Sequence, residues 1–214
     1  MNVWVDVILV LLILTGFGLL GESRLSTCIR TVALQGFILG LLPLAQVGVA
    51  FTVRIAALSA VVIVLKGYAF PVLLSRALRE SNTHREVEPF VGYGASLFVG
   101  VLSLLAAFWL DTRFKLPVAE TSRLMVPVAF TLMLMGLFLL VARRTAVNQV
   151  LGYLVLENGI YTFGFAIVRD IPLVVEFGVL MDVFVAVFVM GIAIFRISRQ
   201  FDHIDADQLR TLKG

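Results

Sequence analysis

Gln149–Val168 reads QVLGYLVLENGIYTFGFAIV. The stretch is apolar enough and long enough to cross a bilayer, whose hydrocarbon core takes about 20 helical residues. One acid, Glu157, interrupts it. A charged side chain near the bilayer centre costs roughly 2.5–3.5 kcal/mol on insertion scales, so a retained one marks an ion or proton pathway or the charge of a partner. Asp182 lies inside the next apolar stretch, and Lys66 inside an earlier one. Ionisable groups in three apolar stretches of one small chain point to movement of charge through a membrane.

Composition leads to the same class. The chain has 214 residues, of which 60% are hydrophobic and 14% charged, with a mean hydropathy of +1.03. Soluble domains carry about 25% charged residues. These values predict an all-α fold, a polytopic membrane helix bundle with no soluble domain. The pI of about 9.4 accompanies a net charge of only +3. The basic residues flank the apolar stretches, so they read as topology signals and no nucleic-acid partner is expected. Cys28 is the single cysteine, which excludes an internal disulfide and a multi-cysteine metal site. His84 and His203 are far apart in polar segments. No iron–sulfur, zinc, haem or nucleotide motif is present, so no catalytic residue, metal ligand or cofactor is assigned to this chain.

Seven spans are expected: 3–20, 31–50, 53–74, 90–110, 125–142, 148–168 and 173–195. Gly21-Glu22-Ser23-Arg24 ends the first, and Arg76–Glu88 forms the longest polar connection. Arg143-Arg144 makes a tight turn between spans five and six. The boundary between spans two and three carries only Arg54, and a six-span reading would merge or bury one element there. With the N-terminus outside, the inner face receives Arg24, Arg30, Arg76, Arg79, Arg85, Arg143, Arg144, Arg196, Arg199, Arg210 and Lys213. The outer face receives Arg54, Arg113, Lys115, Arg123 and Arg169. The positive-inside rule therefore predicts seven spans with the N-terminus outside and the C-terminus cytoplasmic. The first span lacks a basic leader and a small-residue cleavage site, so it is expected to be retained. Residues 1–123 form an N-terminal four-helix membrane region, 124–198 a three-helix region and 199–214 a cytoplasmic tail. In that tail Phe201, Ile204, Leu209 and Leu212 fit a short amphipathic helix on the membrane or a partner, or else a solvated end.

The candidate chemistry is concentrated in spans six and seven. Residues four apart share a helix face, so Gln149, Tyr153, Glu157 and Tyr161 form a polar stripe that Gly164 roughly continues. Two phenols and an amide beside a carboxyl satisfy it in either protonation state, as a proton-transfer site requires. The alternative is that Glu157 only hydrogen-bonds a neighbouring helix. Gly159 would let another helix approach closely. In span seven, Asp182 lies deep and Glu176 near the outer end, where a solvated or structural role is equally open; their spacing places them on different faces. Lys66, in span three, either pairs with a carboxylate or snorkels to the inner interface. Ser59 shares its face, and Pro71 frees a backbone carbonyl and kinks the helix. Thr31, Gln35 and Gln46 with Gly36/Gly40 in span two, and Ser96, Gly100 and Ser103 in span four, read as packing surfaces. Asp6 and Trp4 read as interfacial anchors.

The run Gln149–Tyr161 (QVLGYLVLENGIY) resembles the "ENG" helix of hydrogenase-4 component E proteins, as do the segment LVVEFGVLMDVFVAVFVMGIAIFRI before Ser198 and the FDHID-type tail. The resemblance covers residues 140–214 most specifically. The last three spans are also similar to the three-helix K-type membrane subunit of bacterial respiratory complex I and to the C-type subunit of multisubunit cation/proton antiporters. That similarity implies that Glu157 corresponds to the first of two intramembrane glutamates of a proton path. Asp182 best fits the second. This chain has Asp where the relative has Glu, and an additional Glu176, so which acid does the second job stays open.

The resemblance further implies a non-catalytic proton- or sodium-translocating subunit of a hydrogenase-type complex in a bacterial or archaeal cytoplasmic membrane. Its implied partners are lipid, antiporter-like and other membrane subunits, and peripheral hydrogenase-type subunits. A nickel–iron site and iron–sulfur clusters are expected in those partner subunits. The alternatives are a stand-alone secondary transporter, for which no inverted repeat is visible, and a purely structural assembly subunit.

Overall fold

In a computed structural model of the chain, residues 2–45, 53–80, 90–113 and 122–167 are described, together with Gly178. All the regular structure among them is helical. The elements are α1 (Val3–Gly21), α2 (Leu25–Gly40), the short α3 (Leu42–Ala45), α4 (Val53–Val62), a π-helical segment (Ile63–Ala69), α5 (Phe70–Glu80), α6 (Tyr93–Arg113), α7 (Met125–Ala142) and α8 (Ala146–Ile167). Among the described residues, six helices are long and apolar enough to cross a membrane: Val3–Gly21, Leu25–Ala45, Ile55–Arg76, Tyr93–Arg113, Met125–Ala142 and Ala146–Ile167. The chain is thus a multi-pass membrane protein, and the doubtful second and third spans are separate helices. Apart from Gly178, the expected seventh span (173–195), with Glu176 and Asp182, and the tail lie outside the described residues, as do Gln46, His84 and His203.

The second span begins at Leu25 rather than at residue 31. The cause is local. A Glu22 carboxylate oxygen accepts from the backbone N–H groups of Ser23 and Arg24, both at 2.8 Å. The Arg24 carbonyl then accepts from Thr27 and Cys28. With the backbone donors of the turn satisfied, the helix starts at once, and Arg30 becomes an exposed helical residue.

Lipid offers no hydrophobic driving force between helices, so close packing falls to small residues. The α7–α8 interface shows this most clearly. A Cβ on Gly159 would sit 2.7 Å from the Met133 backbone nitrogen and 2.8 Å from the Ala129 oxygen. One on Gly152 would sit 2.7 Å from the Leu140 nitrogen, and one on Gly136 would meet the backbone of Leu156. The two helices therefore touch backbone to backbone. On α6 the buried residues are Ser96, Gly100, Ser103 and Ala107, the small face expected, and Gly100 fits against Leu20 and Phe17 of α1. Its other face exposes Phe98, Leu105 and Trp109.

Arg143 is buried in the turn between α7 and α8, although the positive-inside reading treats it as a loop charge. Its Nη2 donates to the Leu20 carbonyl at 2.8 Å, and its guanidinium lies 4.7 Å from the Tyr93 ring centroid. It caps the C-terminal carbonyls of α1, where the helix dipole favours a cation. At the other end of α1, Asp6 accepts from Ser122 Oγ at 2.5 Å. Both ends of α1 are thereby tied to residues flanking α7.

Candidate functional site

The π-helical segment positions the key lysine. Pro71 has no N–H, and its ring clashes with the carbonyl four residues back, that of Gly67. Widening the preceding turn relieves the clash: the Phe70 N–H bonds the Leu65 carbonyl, five residues back. Short π segments of this kind recur at functional sites. Lys66 lies inside the segment and is 4% exposed. It does not snorkel to an interface.

Two glycines of α2 make room for this segment. A Cβ on Gly36 would lie 2.5 Å from Lys66 Cβ and 2.9 Å from its carbonyl carbon, and one on Gly40 would strike Ile63. The Gly36/Gly40 pair is therefore a packing surface, as the sequence indicates, and what it packs against is the backbone of the lysine.

Lys66 Nζ lies 3.0 Å from Glu157 Oε1 on α8, with both side chains buried. The same Nζ donates to Asn158 Oδ1 at 3.2 Å. Asn158 Nδ2 donates to Gln35 Oε1 at 3.0 Å. Gln35 Nε2 in turn donates to the Leu12 carbonyl and to Thr15 Oγ1, each at 3.2 Å. One polar chain thus runs from the π segment through Asn158 of α8 and Gln35 of α2 to α1. Each member sits near the middle of its span. Gln35, Glu157 and Asn158 are at most 2% exposed. Polar groups at this depth are tolerated when they satisfy one another.

The other sequence candidates occupy different surroundings. Tyr161 is buried, its ring 5.0 Å from that of Phe165 and packed against Gly178. Tyr153 is half-buried at the edge of the apolar core. Gln149 donates to the Arg143 carbonyl and so closes the α7–α8 turn. The stripe on α8 therefore does not account for the polar chain, which leaves α8 sideways through Lys66 and Asn158. Ser59 is buried, and its Oγ has no hydrogen-bond partner among the described residues.

Sequence reasoning names Lys66 and Glu157 but not the roles of Gln35, Asn158 and Thr15. Two signals were available for them. Gln35 is an amide in an apolar span directly before the small-residue pair, and Asn158 is the neighbour of the intramembrane acid.

Residues 124–214 match the family described as NADH-ubiquinone/plastoquinone oxidoreductase chain 4L. The chain is 33% identical over 204 residues to the uncharacterized protein Rv0085 of Mycobacterium tuberculosis, an alignment spanning 94% of this chain and 92% of that protein. It is 27% identical over 156 residues to hydrogenase-4 component E of Escherichia coli, spanning 73% of this chain and 72% of the relative. No solved structure matches.

Proposed function

The chain belongs to the membrane-protein family of Rv0085 and hydrogenase-4 component E, with a C-terminal part of the chain 4L type, and from that premise we propose that it is a non-catalytic membrane subunit of a hydrogenase- or complex I-like complex. In this reading it supplies part of a proton (or sodium) path driven by redox chemistry in other subunits. The Glu157–Lys66 pair at mid-membrane carries the proposal. A buried acid–lysine pair is a weak source of stability, because desolvation offsets much of the attraction. Such a pair kept at the centre of the spans therefore supports a role in transport rather than in folding.

Glu157 is the proposed proton-exchanging group, and Lys66 holds its negative charge. Asp182 or Glu176 is proposed as a second acid, and Tyr153 and Tyr161 as hydroxyls along the α8 stripe. The charge distribution favours an N-terminus outside, a cytoplasmic C-terminus and a seventh span over 173–195. Residues 1–123 and 124–198 are proposed as the four-helix and three-helix regions. The membrane is proposed to be a bacterial or archaeal cytoplasmic membrane. Nickel–iron and iron–sulfur groups are proposed to lie in peripheral partner subunits, and antiporter-like subunits to adjoin this chain.

Purification of the tagged chain from its native membrane tests the assignment. Co-purification with hydrogenase-type and antiporter-like subunits is expected. A stable oligomer of this chain alone would favour a stand-alone transporter and contradict the proposal.

A further inference from the structure

The buried chain has a direction. Thr15 Oγ1 lies 2.8 Å from the Leu12 carbonyl and 3.0 Å from that of Leu11, to which its hydroxyl donates. Toward Gln35 it presents only lone pairs. The Leu12 carbonyl can only accept. The end of the Gln35 amide that faces α1 must therefore be its NH2 group, which leaves Oε1 facing Asn158. Asn158 must answer with Nδ2, which leaves Oδ1 facing Lys66. The fixed acceptors on α1 at one end and the Lys66 donor at the other require the same orientation of both amides.

We propose that Gln35 is a positioning residue that acts through Asn158. It locks a carbonyl oxygen against Lys66 Nζ and so holds that nitrogen in place facing Glu157. Without Gln35, the NH2 group of Asn158 loses its acceptor, and the amide is no longer anchored at the end away from Lys66. Gly36, the next residue of α2, abuts the Cβ of the same lysine. Consecutive residues of α2 thus set both ends of the Lys66 side chain.

The same argument makes the α1–α2 side a closed end. An amide passes a proton along only through its imidic tautomer, and among the described residues the chain stops at a helix carbonyl and a hydroxyl already committed to the backbone. Protons exchanged at Glu157 leave in another direction. The inference takes from the proposed function only that the Glu157–Lys66 pair is the working part of the site.

Carbodiimide labelling tests it, because the reagent modifies a carboxyl in its protonated form. Native membranes containing the full chain are treated with dicyclohexylcarbodiimide at neutral pH, and modification of Glu157 is read by peptide mass spectrometry. Gln35→Met should raise labelling about tenfold, the scale of one hydrogen bond to a charged group. In a Lys66→Met background the same substitution should add nothing. Thr15→Val, which removes one of the two acceptors on α1 and leaves α2 intact, should raise labelling by a smaller factor and carries the test if Gln35→Met does not accumulate. Unchanged labelling in the accumulating variants, or an equal rise with and without Lys66, would overturn the inference. The assay does not depend on transport, so it can fail while proton translocation still requires Glu157, or succeed while translocation does not.

Discussion

Lys66 Nζ and Glu157 Oε1 lie 3.0 Å apart, and the two residues come from spans that are distant in sequence. Lys66 belongs to the N-terminal part of the chain, whereas Glu157 lies within the region that matches chain 4L. The pair therefore joins the family-matching helices to the spans that precede them. It sets beside the acid of α8 a cation that comes from outside residues 124–214.

The first expectation concerns the pair itself. Removing one partner of a buried pair leaves an uncompensated charge and costs about 3–5 kcal/mol, whereas replacing both costs little. Glu157→Gln and Lys66→Met should each lower the thermal stability of the detergent-solubilised chain. The double variant should recover most of the loss. Additive losses would show that the two side chains are not coupled.

A second expectation concerns the α2 contact. A methyl on Gly36 would lie 2.5 Å from Lys66 Cβ and 3.0 Å from its backbone oxygen. Overpacking of this kind costs about 1–3 kcal/mol. Gly36→Ala should shift the π segment and weaken the Lys66–Glu157 coupling measured in a double-mutant cycle. Gly92→Ala serves as the control, because nothing lies within 4 Å of a Cβ there. Equal behaviour of the two variants would contradict the close approach.

Much of this arrangement was legible in the sequence. Helix length and apolarity locate the six described spans, and Glu157 and Lys66 stand out because a charge is costly in lipid. The face of α6 was legible because Ser96, Gly100 and Ser103 recur at helical spacing. What was not legible depends on neighbours. Gln35 looks like a packing residue until Asn158 is placed against it, and no periodicity within α2 or α8 encodes that meeting. The surroundings of Tyr161 were not legible either, because spacing along one helix says nothing about Phe165 and Gly178 packing against its ring. Arg143 looked like a loop charge because its acceptor, the Leu20 carbonyl, lies on α1.

Arg143 gives a third expectation. Hydrogen bonds to charged groups contribute about 1.5–3 kcal/mol, and the planar guanidinium stacks on Tyr93 in a way that an ammonium does not reproduce. Arg143→Ala should destabilise the solubilised chain by about 2 kcal/mol, read as a lowered unfolding temperature. Arg143→Lys should restore only part of it. Full restoration by lysine would show that charge alone matters at the end of α1.

The central claim is that Glu157 is a proton-transfer step in a redox-driven complex. Its most direct test is proton uptake into inverted membrane vesicles, measured together with redox turnover, for the assembled complex carrying Glu157→Gln in a Lys66→Met background. The double substitution avoids the stranded charge of either single variant. The expected result is continued turnover without coupled proton uptake. Wild-type proton uptake per turnover by that assembled complex would contradict the account.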